Sequence, residues 1–150
     1  GGSRLQPHLL KEVRSSTDDE TLGDVICTFE TNVLNTVNTK PEYLNRVKEG
    51  FYAVTHKSYG LGREYIDDSH DPSGKTGTSQ SATDTNDDDI NDTDTVSTAF
   101  VGYAPSSSPK MSITVTSPDS TWENPRNSYS TLVTRRISRR ASDAYFALYP

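Results

Sequence analysis

The sequence predicts a mainly α-helical protein: a small N-terminal helical bundle or α-solenoid fragment, a long acidic linker, and a C-terminal amphipathic helix. Three observations carry that expectation. Apolar residues recur at steps of three and four over residues 22–37 and again over 129–148. Thr17 and Glu20 have the spacing of a capping box just before the first of these runs. Between about residues 60 and 98 the apolar pattern collapses, and Ile90 is the only Val, Leu or Ile between Ile66 and Val96.

Taken in order, Gly1-Gly2-Ser3 reads as an expression scar, and the helical region is expected over residues 4–59. Pro7 suits a first helical turn, and Leu9, Leu10 and Val13 give one apolar face to a short helix over 7–15. A second helix over 18–37 carries Leu22, Val25, Ile26, Phe29, Val33, Leu34 and Val37 as a continuous stripe. Its acidic first turn suits the positive end of a helix dipole. A third helix over 41–57, capped by Asn38 or Thr39, would bury Leu44, Val47, Phe51 and Val54, with Gly60-Leu61-Gly62 as its stop signal. The short connection before Pro41 makes helices two and three antiparallel neighbours.

Residues 60–98 are expected to be a disordered acidic linker, since they offer too little apolar surface to offset chain entropy. Residues 99–125 are rich in Pro and Ser. Within them Phe100–Tyr103 and Met111–Val115 are islands of strand-like composition. In the basic segment 126–150, a helix over about 128–149 is expected to bury Tyr129, Leu132, Val133, Ile137, Ala141, Ala144, Tyr145 and Leu148.

Composition narrows the function classes. Hydrophobic residues are 31% of the 150, and the formal net charge is −6. The charge is uneven: about −1 over residues 1–60, −8 over 61–100 and +3 over 101–150. Overall acidity leaves no broad basic face for a nucleic acid. Cys27 is alone, which excludes an intramolecular disulfide, and its place in a helical pattern suggests a buried, inert thiol. With no signal peptide and no long apolar run, a cytoplasmic location is expected.

The search for chemistry finds little. His8, His56 and His70 are widely spaced and form no metal-ligand pair. The run Asp84–Asp92 has calcium-loop spacing at its start, but Asp89 replaces the required Gly and Thr95 the required Glu. Ser73-Gly74-Lys75-Thr76 ends like a phosphate-binding loop, but Ser69 stands where its leading Gly belongs. No cofactor is implied, and the expectation is a non-enzymatic protein.

The sharpest local feature is Thr134–Ser142, with four arginines and two serines in nine residues. Its two Arg-Arg-x-Ser patterns resemble the substrate consensus of basophilic, cyclic-AMP-dependent-type protein kinases, which implies phosphorylation at Ser138 and Ser142. Ser108 and Ser117, each followed by Pro, resemble proline-directed sites. Phosphate adds about −1.5 to −2 charge per site, so both serines together would nearly cancel the arginines.

The expected function is therefore a scaffold or adaptor whose C-terminal helix docks in a partner's groove. The contact residues would be Leu132, Val133, Arg135, Arg136, Ile137, Arg139, Arg140, Tyr145, Phe146 and Leu148. The alternative places the same helix on an anionic membrane surface, as a peripheral element released by phosphorylation.

Overall fold

A computed structural model describes residues 2–19, 21–84, 86–90, 93–120 and 129–149, with 129–131 described by backbone alone. The chain divides into two compact units, residues 1–43 and 44–150.

The first unit is a two-stranded antiparallel ribbon folded back on itself. Strand β1 (Ser3–Leu5) pairs with β4 (Val33–Thr36), and β2 (Glu12–Arg14) pairs with β3 (Val25–Thr28), with register shifts after Arg4 and after Val13. Among the described residues the helices expected over 7–15 and 18–37 are absent. The apolar stripe of 22–37 is rich in β-branched residues, including Val25, Ile26, Thr28, Val33 and Thr36. Such side chains lose rotamer freedom in a helix and fit a pleated strand. Thr17 does not cap a helix; its hydroxyl donates to the carbonyls of Asp19 and Thr21 and closes the ribbon's turn. Cys27 is exposed on β3, not buried. Ser3, assigned to a scar, opens β1.

The second unit is an α/β layer structure. Helix α1 (Pro41–His56) leads into a 3-10 turn at Asp68–His70, then a three-stranded antiparallel sheet in the order β5 (Ser73–Thr83), β6 (Thr93–Ala104), β7 (Met111–Ser117). Helix α2 (Tyr129–Leu148) packs on β6 and β7. The region expected to be a disordered linker over 60–98 therefore holds the whole of β5 and the first half of β6. Its Ser, Thr and Gly residues are satisfied by an unbroken ladder from Ser73↔Tyr103 to Thr83↔Thr93. Backbone pairing needs no apolar side chains, and hydrophobic content alone misjudges such a hairpin.

The core lies between the sheet and its helix. Tyr65, Ile66, Phe100 and Ala104 are buried, with Met111, Ile113 and Phe146 packed against them. Phe100 is fully buried, and its ring stacks on Tyr65 at 4.5 Å between centroids. Gly74 and Gly102 are paired across β5 and β6. A Cβ on either would stand 2.6–2.7 Å from the Phe100 ring, so both must lack a side chain for the ring to lie flat on the sheet.

Helix α2 matches its expected extent, but it is rotated relative to the expected burial. Thr134, Ser138 and Ser142 are fully buried, whereas Val133 (39%), Ile137 (49%) and Leu148 (73%) are exposed. Small side chains at i, i+4 and i+8 let the helix backbone approach the sheet closely. The two serine hydroxyls are satisfied within the helix, Ser138 Oγ donating to Thr134 O at 2.7 Å and Ser142 Oγ to Ser138 O at 2.8 Å.

Candidate active site

Alternation along the sheet separates two faces. Phe100, Ala104 and Val115 point toward α2, while Ser73, Lys75, Gly77 and Ser79 fall on the opposite face with Ser97, Ala99, Val101 and Tyr103. Strand β5 has β6 on one side and no described strand on the other. Its free edge begins with Lys75-Thr76-Gly77, in which Lys75 and Gly77 are exposed and Thr76 is half-buried.

Three properties suit this tripeptide to a ligand edge. Lys75 is paired with no carboxylate among the described residues, and its Nζ donates only to the adjacent Thr76 carbonyl. The cation is thus available to an incoming anion. Gly77 differs from Gly74 and Gly102 in what surrounds it: a Cβ there would meet only Ala99 Cβ, at an ordinary 3.7 Å. Internal packing does not require this glycine. Its effect is external, because the cross-strand row Gly77, Ala99 and Thr116 carries no large side chain. These residues, with Ser79, Ser97 and Pro118, line an open trough of about 450 Å³. A strand edge beside such a trough can accept an extended peptide through main-chain hydrogen bonds, with Lys75 at its head.

The entry to this edge is held by polar contacts. Asp71 has a left-handed backbone (φ 50, ψ 59), and its carbonyl accepts from the backbone N–H and hydroxyl of Ser106 at 2.6 and 2.7 Å. Thr55 of α1 donates to the Pro72 carbonyl at 2.7 Å. The hydroxyls of Ser73 and Ser106 lie 2.8 Å apart.

The residues expected to form a C-terminal docking site divide between those held by contacts within the chain and those left exposed, Val133, Arg136, Ile137, Arg140 and Leu148. Arg135 pairs with Glu64 at 2.8 Å, and Arg139 pairs with both Asp67 and Asp143. Phe146 stacks on His70 at 4.2 Å, and Tyr145 Oη donates to the Lys110 carbonyl at 2.9 Å. Leu132 is half-buried, while Arg136 and Arg140 are exposed. Ser138 and Ser142 face the sheet, where no enzyme reaches them in the folded unit. Ser108 is exposed in the β6–β7 turn, and Ser117 is half-buried at the end of β7. Among the described residues no cluster of His, Cys, Asp or Glu is placed to hold a metal ion, and no helix is long and apolar enough to cross a membrane.

Sequence reasoning missed Lys75 and Gly77 as a strand-edge motif. The signal was present: Lys-Thr-Gly accompanies Ser-x-x-Lys and Ser-Asp-Asn in serine acyl-transferring enzymes of the β-lactamase and penicillin-binding kind. Weighing Lys75-Thr76 only as the end of a phosphate loop hid it.

A Lys-Thr-Gly strand at the free edge of an antiparallel sheet backed by a helix matches one of the three motifs of the penicillin-binding class of domains. The comparisons agree. Residues 1–139 match the sequence model of the penicillin binding protein transpeptidase domain, and the chain belongs to that family. It is 38% identical over 148 residues to penicillin-binding protein 2A of Bacillus subtilis, covering 99% of this chain and 20% of that protein. It is 30% identical over 123 residues to penicillin-binding protein 2B of Streptococcus pneumoniae, covering 80% of this chain and 17% of that protein. The solved structure of penicillin-binding protein 2B from S. pneumoniae strain R6 superposes with a TM-score of 0.72 at 27% identity, over 99% of this chain and 23% of that one. The chain thus spans about a fifth of the length of these relatives.

Membership of this family overturns the expectation of a non-enzymatic, largely disordered phosphoprotein scaffold. It also removes the grounds for a helix-in-groove partner, a basophilic kinase or a lipid-binding role for α2. The match starts at residue 1, within the segment assigned to a scar. The catalytic motifs are only partly present. The chain has no Ser-Asp-Asn, and its single Ser-x-x-Lys, Ser107 to Lys110, lies in the exposed β6–β7 turn.

Proposed function

We propose that this chain supplies the Lys-Thr-Gly wall of a transpeptidase active site that acts on D-alanyl-D-alanine-terminated peptides of peptidoglycan. The observation that carries the reading is Lys75-Thr76-Gly77 on the free edge of β5, with an ammonium that pairs with no carboxylate among the described residues and a trough left open by Gly77. In this reading the substrate peptide lies extended along β5, and Lys75 holds its terminal carboxylate by a charge-assisted hydrogen bond. A serine of the Ser-x-x-Lys kind, other than Ser107 of the exposed β6–β7 turn, attacks the penultimate carbonyl. The terminal D-alanine leaves with a proton on its nitrogen, and a second peptide's amine takes the acyl group and frees the serine. Penicillin, with a carboxylate beside a reactive amide, enters as a mimic of the same peptide end. The reading places the protein on the cell-wall side of the membrane, with its substrate, and replaces the cytoplasmic location.

The test is labelling of the protein that carries this chain by a fluorescent penicillin, comparing wild type with Lys75→Ala. A hydrogen bond to a charged group contributes about 1.5–3 kcal/mol, so labelling should slow by roughly 10- to 100-fold. Labelling at the wild-type rate would sink the reading.

A further inference from the structure

We infer that Ser106 is a positioning residue for Lys75, acting through the backbone at the start of β5. The inference rests on the reading of Lys75 as a carboxylate holder. Three consecutive residues before Gly74-Lys75 are each tied down by a group distant in sequence. The Asp71 carbonyl accepts from Ser106 N at 2.6 Å and from Ser106 Oγ at 2.7 Å. The Asp71 carboxylate also faces the Ser106 N–H at 3.2 Å. The Pro72 carbonyl accepts from Thr55 Oγ1 at 2.7 Å. Ser73 Oγ lies 2.8 Å from Ser106 Oγ. Since the Ser106 hydroxyl proton goes to Asp71, Ser73 must be the donor of that last bond. Ser106 therefore accepts from Ser73 and donates to Asp71, joining the two residues that flank Pro72.

The position of these bonds gives them a consequence for the site. Ser73 and Lys75 share one face of β5, two residues apart, and Ser73 and Thr55 are each 1% exposed. Asp71 holds a left-handed backbone that a non-glycine residue adopts at a cost, which the Ser106 contacts offset. On the other side Gly74 is pressed against the Phe100 ring. Lys75 follows directly on these tied residues, its own side chain is exposed and its backbone pairs with β6, so the direction in which the ammonium emerges depends on the Ser106 clamp together with that ladder. Removing the clamp lets the start of β5 shift, and a displacement near 1 Å at a positioning group can cost on the order of 100-fold in rate.

The experiment uses the protein that carries this chain and two probes, a penicillin with a free carboxylate and its methyl ester. The readout is the ratio of their acylation rates, which reports how well the carboxylate is held. A general loss of stability slows both probes alike and leaves the ratio unchanged. Ser106→Ala should lower the ratio on the order of 10-fold, and Ser106→Thr, which keeps the hydroxyl, should restore it. Thr55→Val, which removes the bond to Pro72 with little change in volume, should lower the ratio in the same direction and serves if Ser106→Ala fails to fold. Ser138→Ala, on the other side of the sheet, should leave the ratio at its wild-type value. Lys75→Ala should abolish the preference for the carboxylate; if it does not, the reading of Lys75 itself fails. If Lys75→Ala abolishes the preference while Ser106→Ala and Thr55→Val retain it, the positioning role of Ser106 is overturned and the reading of Lys75 stands.

Discussion

Two glycines in the same strand have opposite explanations, and a pair of substitutions separates them. Gly74 is buried under Phe100, and a Cβ there would stand 2.6 Å from the ring. Gly74→Ala should lower stability by about 1–3 kcal/mol, the range for overpacking a core, seen as a fall in the thermal midpoint. Gly77 has room for a methyl group. Gly77→Ala should leave the midpoint unchanged or raise it slightly, since Gly in a strand interior costs roughly 0.5–1 kcal/mol relative to Ala. Penicillin labelling should nonetheless fall, because the methyl group intrudes on the trough. Equal labelling by Gly77→Ala and wild type would show that the trough is not a ligand path. At the tip of the β5–β6 hairpin, Asp84 presents a different residue-scale balance. Desolvation raises its pKa, but the backbone N–H groups of Asn86, Asp89 and Asp87 that it accepts outweigh this and hold it below the ordinary 3.8. A depressed carboxylate contributes order above its unfolded value and loses it as pH falls through the folded one. The Asp84 carboxyl carbon resonance should titrate below 3.8, together with the amides of residues 86, 87 and 89.

At the scale of the element, α2 shows why an apolar stripe does not by itself tell which face is buried. Its inner face is Thr134, Ser138 and Ser142, and its outer face carries Val133, Ile137 and Leu148. A helix that must lie close to a flat sheet gains more from small side chains than from large ones, once their hydroxyls are bonded back into the helix. Ser138→Glu should therefore cost more than about 3 kcal/mol, through clash and an unpaired buried charge. Ile137→Glu should stay within about 1 kcal/mol, because that side chain is already half in solvent. Denaturant melts of the two variants decide the register; the reverse order would return α2 to the orientation its sequence suggests. The arginines on the flank work by ion pairs to Glu64 and Asp67, in the segment that leads to β5. Exposed pairs of this kind contribute only about 0–1 kcal/mol each, so they align the helix more than they stabilise it.

At the scale of the whole molecule, the two units differ in kind. Every described residue of the first strand pairs is exposed or half-exposed, whereas the second unit encloses Tyr65, Ile66, Phe100 and Ala104. A two-stranded ribbon is marginal without a covering layer. In hydrogen exchange of this chain, amides of residues 3–36 should exchange near the unprotected rate, while those of β6 should be the slowest. Comparable protection in both units would show that the ribbon gains stability from contacts beyond its own pairing. The ribbon's apolar residues, among them Leu22 at 80% and Ile26 at 68% exposure, are the ones that drew a helical expectation.

The extents of α1 and α2 and the strand character of Phe100–Tyr103 and Met111–Val115 follow from local signals: capping residues and apolar spacing. The Lys-Thr-Gly motif was equally legible as a string, yet it gains meaning only at a strand edge. What tertiary structure decided is what depends on partners remote in sequence. β5 is a strand because eleven residues of β6 pair with it, and its Ser, Thr and Gly content gives no local sign of that pairing. Residues 3–36 form a ribbon because β-branched side chains at helical spacing found strand partners. Gly74 and Gly77 look alike in the sequence and differ only in that Phe100 covers one of them. Local propensity and spacing can be read from neighbours along the chain, whereas strand pairing and burial are set by contacts across it.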